Sequence, residues 1–235
     1  MKFLNQSVET VRQKLRTIER ESLLNADTWL TLLPEFGFND ENPEELPADM
    51  LAQPGLGLRI WQYPNQFAPY MSWLASKASE VNSYMEIGTR HGGTFVIQVE
   101  TLRRLNEHFG KAVAVDLIDQ PELLDGYEYI QQDSQSKDFS QWLSKQFFDC
   151  IFVDGDHKYE GVKRDAESTI ERCNIQVFHD ISSNSCRDVG TYWQEHKIAH
   201  SRTHDFVEFT DQYDSVGGSF LGIGVAYRKD WIVLK

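Results

Sequence analysis

Cysteine is scarce in this chain of 235 residues: Cys150, Cys173 and Cys186 stand apart with no C-x-x-C spacing. An odd number of thiols cannot all pair within one chain, so neither a disulfide framework nor a structural zinc site has support. A reducing compartment is the natural setting. Basic residues are also few, 23 Lys and Arg against 36 Asp and Glu, for a formal charge of −13. That balance gives no general attraction to nucleic-acid phosphates or anionic membranes, and neither is an expected partner. No apolar run reaches the roughly 20 residues that span a bilayer. Lys2, Glu9, Arg12, Lys14 and Arg16 fall where a signal peptide would need an uninterrupted apolar core. A cytoplasmic location is the resulting expectation.

Apolar material is plentiful: hydrophobic residues make up 40%, with 14 Phe, 9 Tyr and 6 Trp, too much for a disordered acidic chain. Val8, Val11, Leu15 and Ile18 recur at three- and four-residue intervals, so an amphipathic helix is expected over residues 7–24. The stretch from Asn25 to Leu58 holds Pro34, Pro43, Pro47 and Pro54 and an acidic run from Asn39 to Glu45, and it predicts a surface path with a short helix near 27–33. This region is a cap, a dimerisation arm or padding over a sheet edge, or else part of a substrate lid. Residues 1–55 are accordingly set apart as a helical and irregular extension from a domain over 56–235.

Beyond residue 56 the pattern becomes regular. Helices are expected at 69–81, 94–108, 138–145, 157–172 and 187–197, and strands at 84–87, 111–116, 127–132, 149–154 and 174–179. Strands that alternate with helices and are mostly apolar argue a parallel sheet covered on both faces, an α/β doubly wound class. Two last strands, 205–210 and 219–226, are joined by a loop too short for a crossover helix and predict an antiparallel hairpin at the end of the sheet.

In open α/β sheets ligands bind beyond the carboxyl ends of the strands. Those positions hold Glu86-Ile-Gly-Thr-Arg-His-Gly-Gly93, Asp116, Asp133-Ser-Gln135, Asp154-Gly-Asp-His157 and His179-Asp180. The glycine loop lacks G-x-G-x-x-G, which argues against a nicotinamide oxidoreductase. Glu86 is a poor neighbour for a pyrophosphate and a suitable acceptor for an ammonium group. Asp116 is placed to accept hydrogen bonds from ribose hydroxyls. Together the two acids fit an amino-acid-bearing nucleoside better than a dinucleotide.

These residues carry a resemblance. Tyr84-Met-Glu-Ile-Gly-Thr-Arg-His-Gly-Gly-Thr94, Val115-Asp116, Asp133-Ser-Gln135, Phe152-Val-Asp-Gly-Asp-His-Lys-Tyr-Glu-Gly161 and Phe178-His-Asp180 are together similar to the motifs of class I S-adenosylmethionine-dependent methyltransferases. Within that group the chain resembles the cephalosporin hydroxylase-like and small-molecule O-methyltransferase branch, over roughly residues 56–235. The resemblance implies a mostly parallel, seven-stranded Rossmann-like sheet. It places Glu86, Gly88 and Gly92 against the methionine part of S-adenosylmethionine, with Arg90 or His91 near its carboxylate, Asp116 at the ribose, and Asp133, Ser134 and Gln135 beside the adenine. Asp133 and Ser134 have a less favoured second reading as turn or helix caps.

Catechol-type relatives hold a divalent cation with acids at the ends of the fourth and fifth strands, and the corresponding positions here are Asp154, His179 and Asp180. Two hard oxygen donors suit Mg²⁺, whereas an imidazole better suits Mn²⁺, Fe²⁺ or Zn²⁺, and Asp156 and Asn184 are further oxygen donors. Without a metal, His157 is the better candidate for the base, with His179 able to exchange roles. Either histidine also reads as a capping or packing side chain. Arg164 and Asp165 read as a solvated helix face, Tyr159 as packing or acceptor pocket, and Trp61, Tyr63, Phe67 and Tyr70 as pocket wall or core. The expected activity is methyl transfer to a hydroxyl of a small molecule. The alternatives are a nonenzymatic protein that keeps the fold and, less favoured, the oxidoreductase. The N-terminal helix and the edge hairpin both offer surfaces for a homodimer.

Overall fold

The computed structural model describes residues 8–39, 41, 43–48, 50 and 57–233, and the expected division between residues 55 and 56 lies outside them. Seven strands form one sheet: β1 (Ser83–Ile87), β2 (Lys111–Asp116), β3 (Glu128–Gln131), β4 (Phe148–Val153), β5 (Cys173–Phe178), β6 (His204–Phe209) and β7 (Ile223–Arg228). Their order is β3-β2-β1-β4-β5-β7-β6. The first five are parallel, and β7 runs antiparallel to both β5 and β6. This is the doubly wound, mostly parallel sheet with a terminal antiparallel pair that the sequence predicts. The chain enters the sheet at β1, winds outward through β2 and β3, and returns to lay β4 on the other side of β1. The topological switch therefore lies between β1 and β4, where ligands collect in such sheets.

The described residues form seven α-helices: α1 (Val8–Arg16), α2 (Ala26–Phe36), α3 (Pro64–Lys77), α4 (Gly93–Leu105), α5 (Lys137–Leu143), α6 (Tyr159–Thr169) and α7 (Arg187–His200). Alternation along the strands divides their side chains between two layers. Tyr84, Cys150, Phe152, Ile175 and Val177 join the large core beneath α3 and α4, which also takes in Val11, Leu15, Trp29 and Phe36 from the N-terminal helices. Met85, Ile87, Val113, Ile151 and Val153 face the other way, onto Phe139 and Leu143 of α5. No described helix is long and apolar enough to cross a membrane.

The N-terminal region is fastened by a buried charge. Arg12 of α1 donates to both carboxylate oxygens of Glu100 on α4 at 2.6 and 3.1 Å, and Arg103 and Tyr127 donate to the same carboxylate at 2.6 Å each. These donors hold the Glu100 carboxyl below its ordinary range although burial opposes them.

Several boundaries differ from expectation, three of them for a clear local reason. The first helix ends at Arg16, where the Thr17 hydroxyl bonds the Lys14 carbonyl, and residues Glu21–Leu24 form a separate 3₁₀ turn. The helix expected from Pro69 begins at Pro64, because a first-turn proline lacks only an N–H that the helix does not need. The last strand begins at Ile223 and not at Ser219, since Leu221 and Gly222 have φ of 57° and 100° and break the extended run.

Candidate functional site

The carboxyl ends of the parallel strands open onto one cavity of about 1130 Å³. At its centre β1 and β4 meet so closely that a Cβ on Gly88, at φ +85°, would lie 2.0 Å from the Asp154 carbonyl oxygen. Gly92 takes φ +83° at the start of α4, which a side chain would oppose. The two glycines let the loop turn tightly and bring its backbone to the cavity wall.

Every residue predicted for cofactor binding, Glu86, Gly88, Arg90, His91, Gly92, Asp116, Asp133, Ser134, Gln135 and Asp154, lines this cavity, and so do His157, His179 and Asp180. Glu86 is 2% exposed and accepts a 2.6 Å hydrogen bond from the Tyr84 hydroxyl. Burial pushes its carboxyl well above the usual range, and Asp154 and Asp116 add to this by repulsion. Such a carboxyl gains most from a cationic partner. Asp116 accepts 2.6 Å hydrogen bonds from the backbone N–H groups of Arg90 and Leu117, which fixes it at the mouth of the glycine loop. Asp133 accepts from the Gln135 N–H at 2.8 Å, so it does make the turn that its capping alternative described, while still lining the cavity.

At the other end four side chains converge. Asp154 Oδ1 lies 3.1 Å from His157 Nε2 and 3.1 Å from His179 Nδ1, and Asp180 Oδ2 lies 3.5 and 3.7 Å from the same two rings. The ligating atoms of Asp154, His179 and Asp180 are all within 4.8 Å of one another. His179 is almost wholly buried and its Nε2 has no hydrogen-bond partner. The donor set fits a divalent cation: two carboxylates and an imidazole on adjacent strand ends, with hard and borderline donors mixed. Asp180 sits at φ 62°, a conformation unusual for a side-chain-bearing residue, at the sharp turn leaving β5. Of the two further oxygen donors, Asp156 instead accepts from Gln135 and from the Lys158 N–H, and Asn184 is exposed on a second, smaller cavity.

The electrostatics of this cluster are set by its carboxylates. The paired imidazoles hold Asp154 below the ordinary carboxyl range against the opposing effect of burial. Burial resists charge on His157, but Asp154, the Cys186 contact and Asp180 push its ring up to about 11. His179 is raised by the same two acids.

The structure adds residues that the sequence reading passed over. Glu41 reaches from the proline-rich segment into the glycine loop, where it pairs with Arg90, with His91 Nε2 at 2.9 Å and with Arg59 at 3.7 Å. The Arg90 guanidinium also lies 4.2 Å from the Trp61 ring centre. Glu45, 8% exposed, lines the cavity near His179 and Asp180, hydrogen-bonds Trp61, and is pushed up by burial and by Asp180. Acidic residues in a stretch without periodicity gave no sign of pointing inward.

Asp165 corrects an expectation. It is fully buried and not on a solvated face, beside Ser134 and the Asp156 backbone, and burial pushes its carboxyl up to about 6. Its spacing carried a signal, since Val162, Asp165, Ala166 and Thr169 form an i, i+3, i+4, i+7 stripe that is buried throughout. Arg164 is exposed as expected. Tyr159 packs edge-on against Tyr192 and donates to Glu195, outside the cavity. Trp61 is the aromatic that lines the cavity, whereas Tyr63, Phe67 and Tyr70 are core.

Comparison with known proteins agrees with this architecture. Residues 85–181 match the family model described as a methyltransferase domain. No curated protein matches the sequence. Among solved structures, the chain is similar to the O-methyltransferase TomG from Streptomyces achromogenes, involved in tomaymycin synthesis and solved in complex with S-adenosylmethionine: 12% identity, 91% of this chain and 100% of that one covered, TM-score 0.53. It is also similar to the cofactor-bound Rv0187 from MTB, with 15% identity, 87% and 90% coverage and a TM-score of 0.50. The glycine loop and the acidic ends of β1, β2, β4 and β5 thus fall within the stretch matched by the methyltransferase-domain model, and the sheet has the Rossmann-like methyltransferase fold.

Proposed function

We propose that this protein transfers the methyl group of S-adenosylmethionine to a hydroxyl oxygen of a small molecule. The observation that carries the reading is the single cavity joining the glycine loop, buried Glu86 and Asp116 to the Asp154, His157, His179 and Asp180 cluster. Glu86 is the acceptor for the amino group of the methionine part, and Arg90 or His91 lies near its carboxylate. Asp116 takes the ribose hydroxyls, with Asp133, Ser134 and Gln135 on the adenine side. The transferred methyl resides on a positive sulfur, so the protein supplies mainly alignment and a nucleophilic oxygen.

Once a bound cation offsets the neighbouring carboxylates, His157 is the residue that would take the hydroxyl proton, and it is 42% exposed, open to an arriving acceptor. Its ring must be neutral at that moment, while Asp154 and Asp180 favour the charged form. Asp154, His179 and Asp180 are the residues that would hold a Mg²⁺ or Mn²⁺ ion, whose charge lowers the pKa of a bound hydroxyl and offsets the two carboxylates. Glu45 and Trp61 close the acceptor end from the N-terminal side.

Calorimetric titration with S-adenosylmethionine tests the reading, with and without Mg²⁺ or Mn²⁺. Micromolar binding is expected, weakened more than tenfold in Asp116→Ala and in Glu86→Gln, each loss corresponding to about 1.4 kcal/mol or more. Absence of binding under every metal condition would overturn it.

A further inference from the structure

His157 faces two ways. Its Nε2 looks into the large cavity toward Asp154 and Asp180, while its Nδ1 lies 3.5 Å from Cys186 Sγ. Cys186 precedes α7 and is partly exposed, unlike Cys150 and Cys173, which are buried. A second cavity of about 410 Å³, lined by His157, Cys186, Asn184 and Asp188 among others, opens on this outer side. Ligating atoms of His157, Asp180 and Cys186 lie within 4.8 Å of one another, a second group that overlaps Asp154, His179 and Asp180 at Asp180.

We propose that Cys186, His157 and Asp180 form a binding site for a thiophilic divalent cation with the chemistry of zinc. The sulfur donor sets this group apart. Magnesium and calcium take oxygen ligands, whereas thiolate with imidazole and one carboxylate is a donor set for zinc. Three protein ligands leave a fourth position for water. The spacing suits such an ion, because metal–sulfur and metal–nitrogen bonds of about 2.3 and 2.0 Å at a tetrahedral angle put the two donors about 3.5 Å apart. His157 and Cys186 line both cavities and Asp180 lines the larger one, so the group sits where the two cavities adjoin. If the methyl-transfer reading above holds, an ion here blocks the reaction by occupying the His157 ring and an Asp180 oxygen. Binding itself does not depend on that reading.

The probe is Co²⁺, added to the metal-stripped full chain without S-adenosylmethionine, and the signal is the near-ultraviolet absorption of a cobalt–thiolate bond. A saturable one-to-one signal is expected, displaced by Zn²⁺ and not by Mg²⁺. It should vanish in Cys186→Ser and require more than about tenfold higher cobalt in His157→Ala. Circular dichroism of both variants checks that the fold persists. No thiolate signal in the wild type, or an equal signal in folded Cys186→Ser, would overturn the proposal and leave the Cys186 contact as a thiol–imidazole hydrogen bond. Failure of S-adenosylmethionine to bind in the separate calorimetric titration would remove the proposed methyl transfer and leave this result standing.

Discussion

His157 concentrates the chemistry of the site in one ring. Two carboxylates within 3.5 Å make the imidazolium its stable form, pushed up to about 11, far above the ordinary value of about 6.5. Opposite charge favours the charged state, so removing Asp154 lowers the pKa. In the metal-free protein, the His157 ring signals in NMR should remain those of an imidazolium at pH 8, and Asp154→Asn should bring the titration down toward neutrality. A wild-type ring that titrates near 6.5 would contradict this electrostatic account. The residues behind it were legible in the sequence because strand ends are predictable places: Asp154 follows an unbroken apolar strand, and His179 and Asp180 follow the next. Glu41 and Glu45 were not legible, because their approach to Arg90 and Asp180 depends on the path of an aperiodic segment. Asp165 was misread although its helical spacing placed it inward, since a charged residue was assigned to solvent by type.

At the scale of elements, the contact between α7 and β6 contains three histidines whose rings meet in succession, the first pair tilted and the second edge-on. The ring centres of His196 and His200 are 4.5 Å apart and those of His200 and His204 are 5.7 Å apart. His196 and His204 are buried, and each has an Nε2 without a hydrogen-bond partner. Burial and neighbouring positive charge lower their pKa values to about 3 and about 4. Below pH 6.5 the unfolded chain binds protons that the folded one refuses, so stability falls with pH until the folded values are reached. For His196 the expected slope is about 1.4 kcal/mol per pH unit between roughly pH 6 and pH 4. Urea midpoints measured across that window should fall in the wild type and fall less steeply in His196→Phe, which keeps a ring against Phe178 and Trp193. An unchanged slope in the variant would remove His196 from this role. The helix and the strand were each legible from periodicity, but their histidines meet only because β6 returns beside α7, which no local pattern encodes.

At the scale of the whole molecule, the cavity draws on both halves of the chain. Glu41, Glu45 and Trp61 come from before β1 and Leu221 from the loop before β7, so the matched stretch 85–181 holds the cofactor-side residues without these walls. Gln66 of α3 ties the two ends together. It donates to the Asp211 carbonyl at 2.8 Å and accepts from the Gly222 N–H at 2.9 Å. A chain truncated after Gly222 should lose the order of β6 as well as β7, because β7 lies between β5 and β6 in the sheet. Loss of near-ultraviolet circular dichroism and association on size exclusion are the expected outcomes, and a monomeric, cooperatively unfolding fragment would refute this.

The strand order also sets a sequence of events during synthesis. β6 leaves the ribosome before β7, yet its neighbour in the sheet is β7 alone, and the antiparallel edge of β5 likewise waits for that last strand. Until β7 emerges, the nascent chain carries one strand with nowhere to pair and one open edge, the condition that invites pairing with another chain. Of the described strands, β7 comes after all its neighbours and closes the sheet, and the interval before it arrives is when β6 and the β5 edge are most open to pairing with another chain.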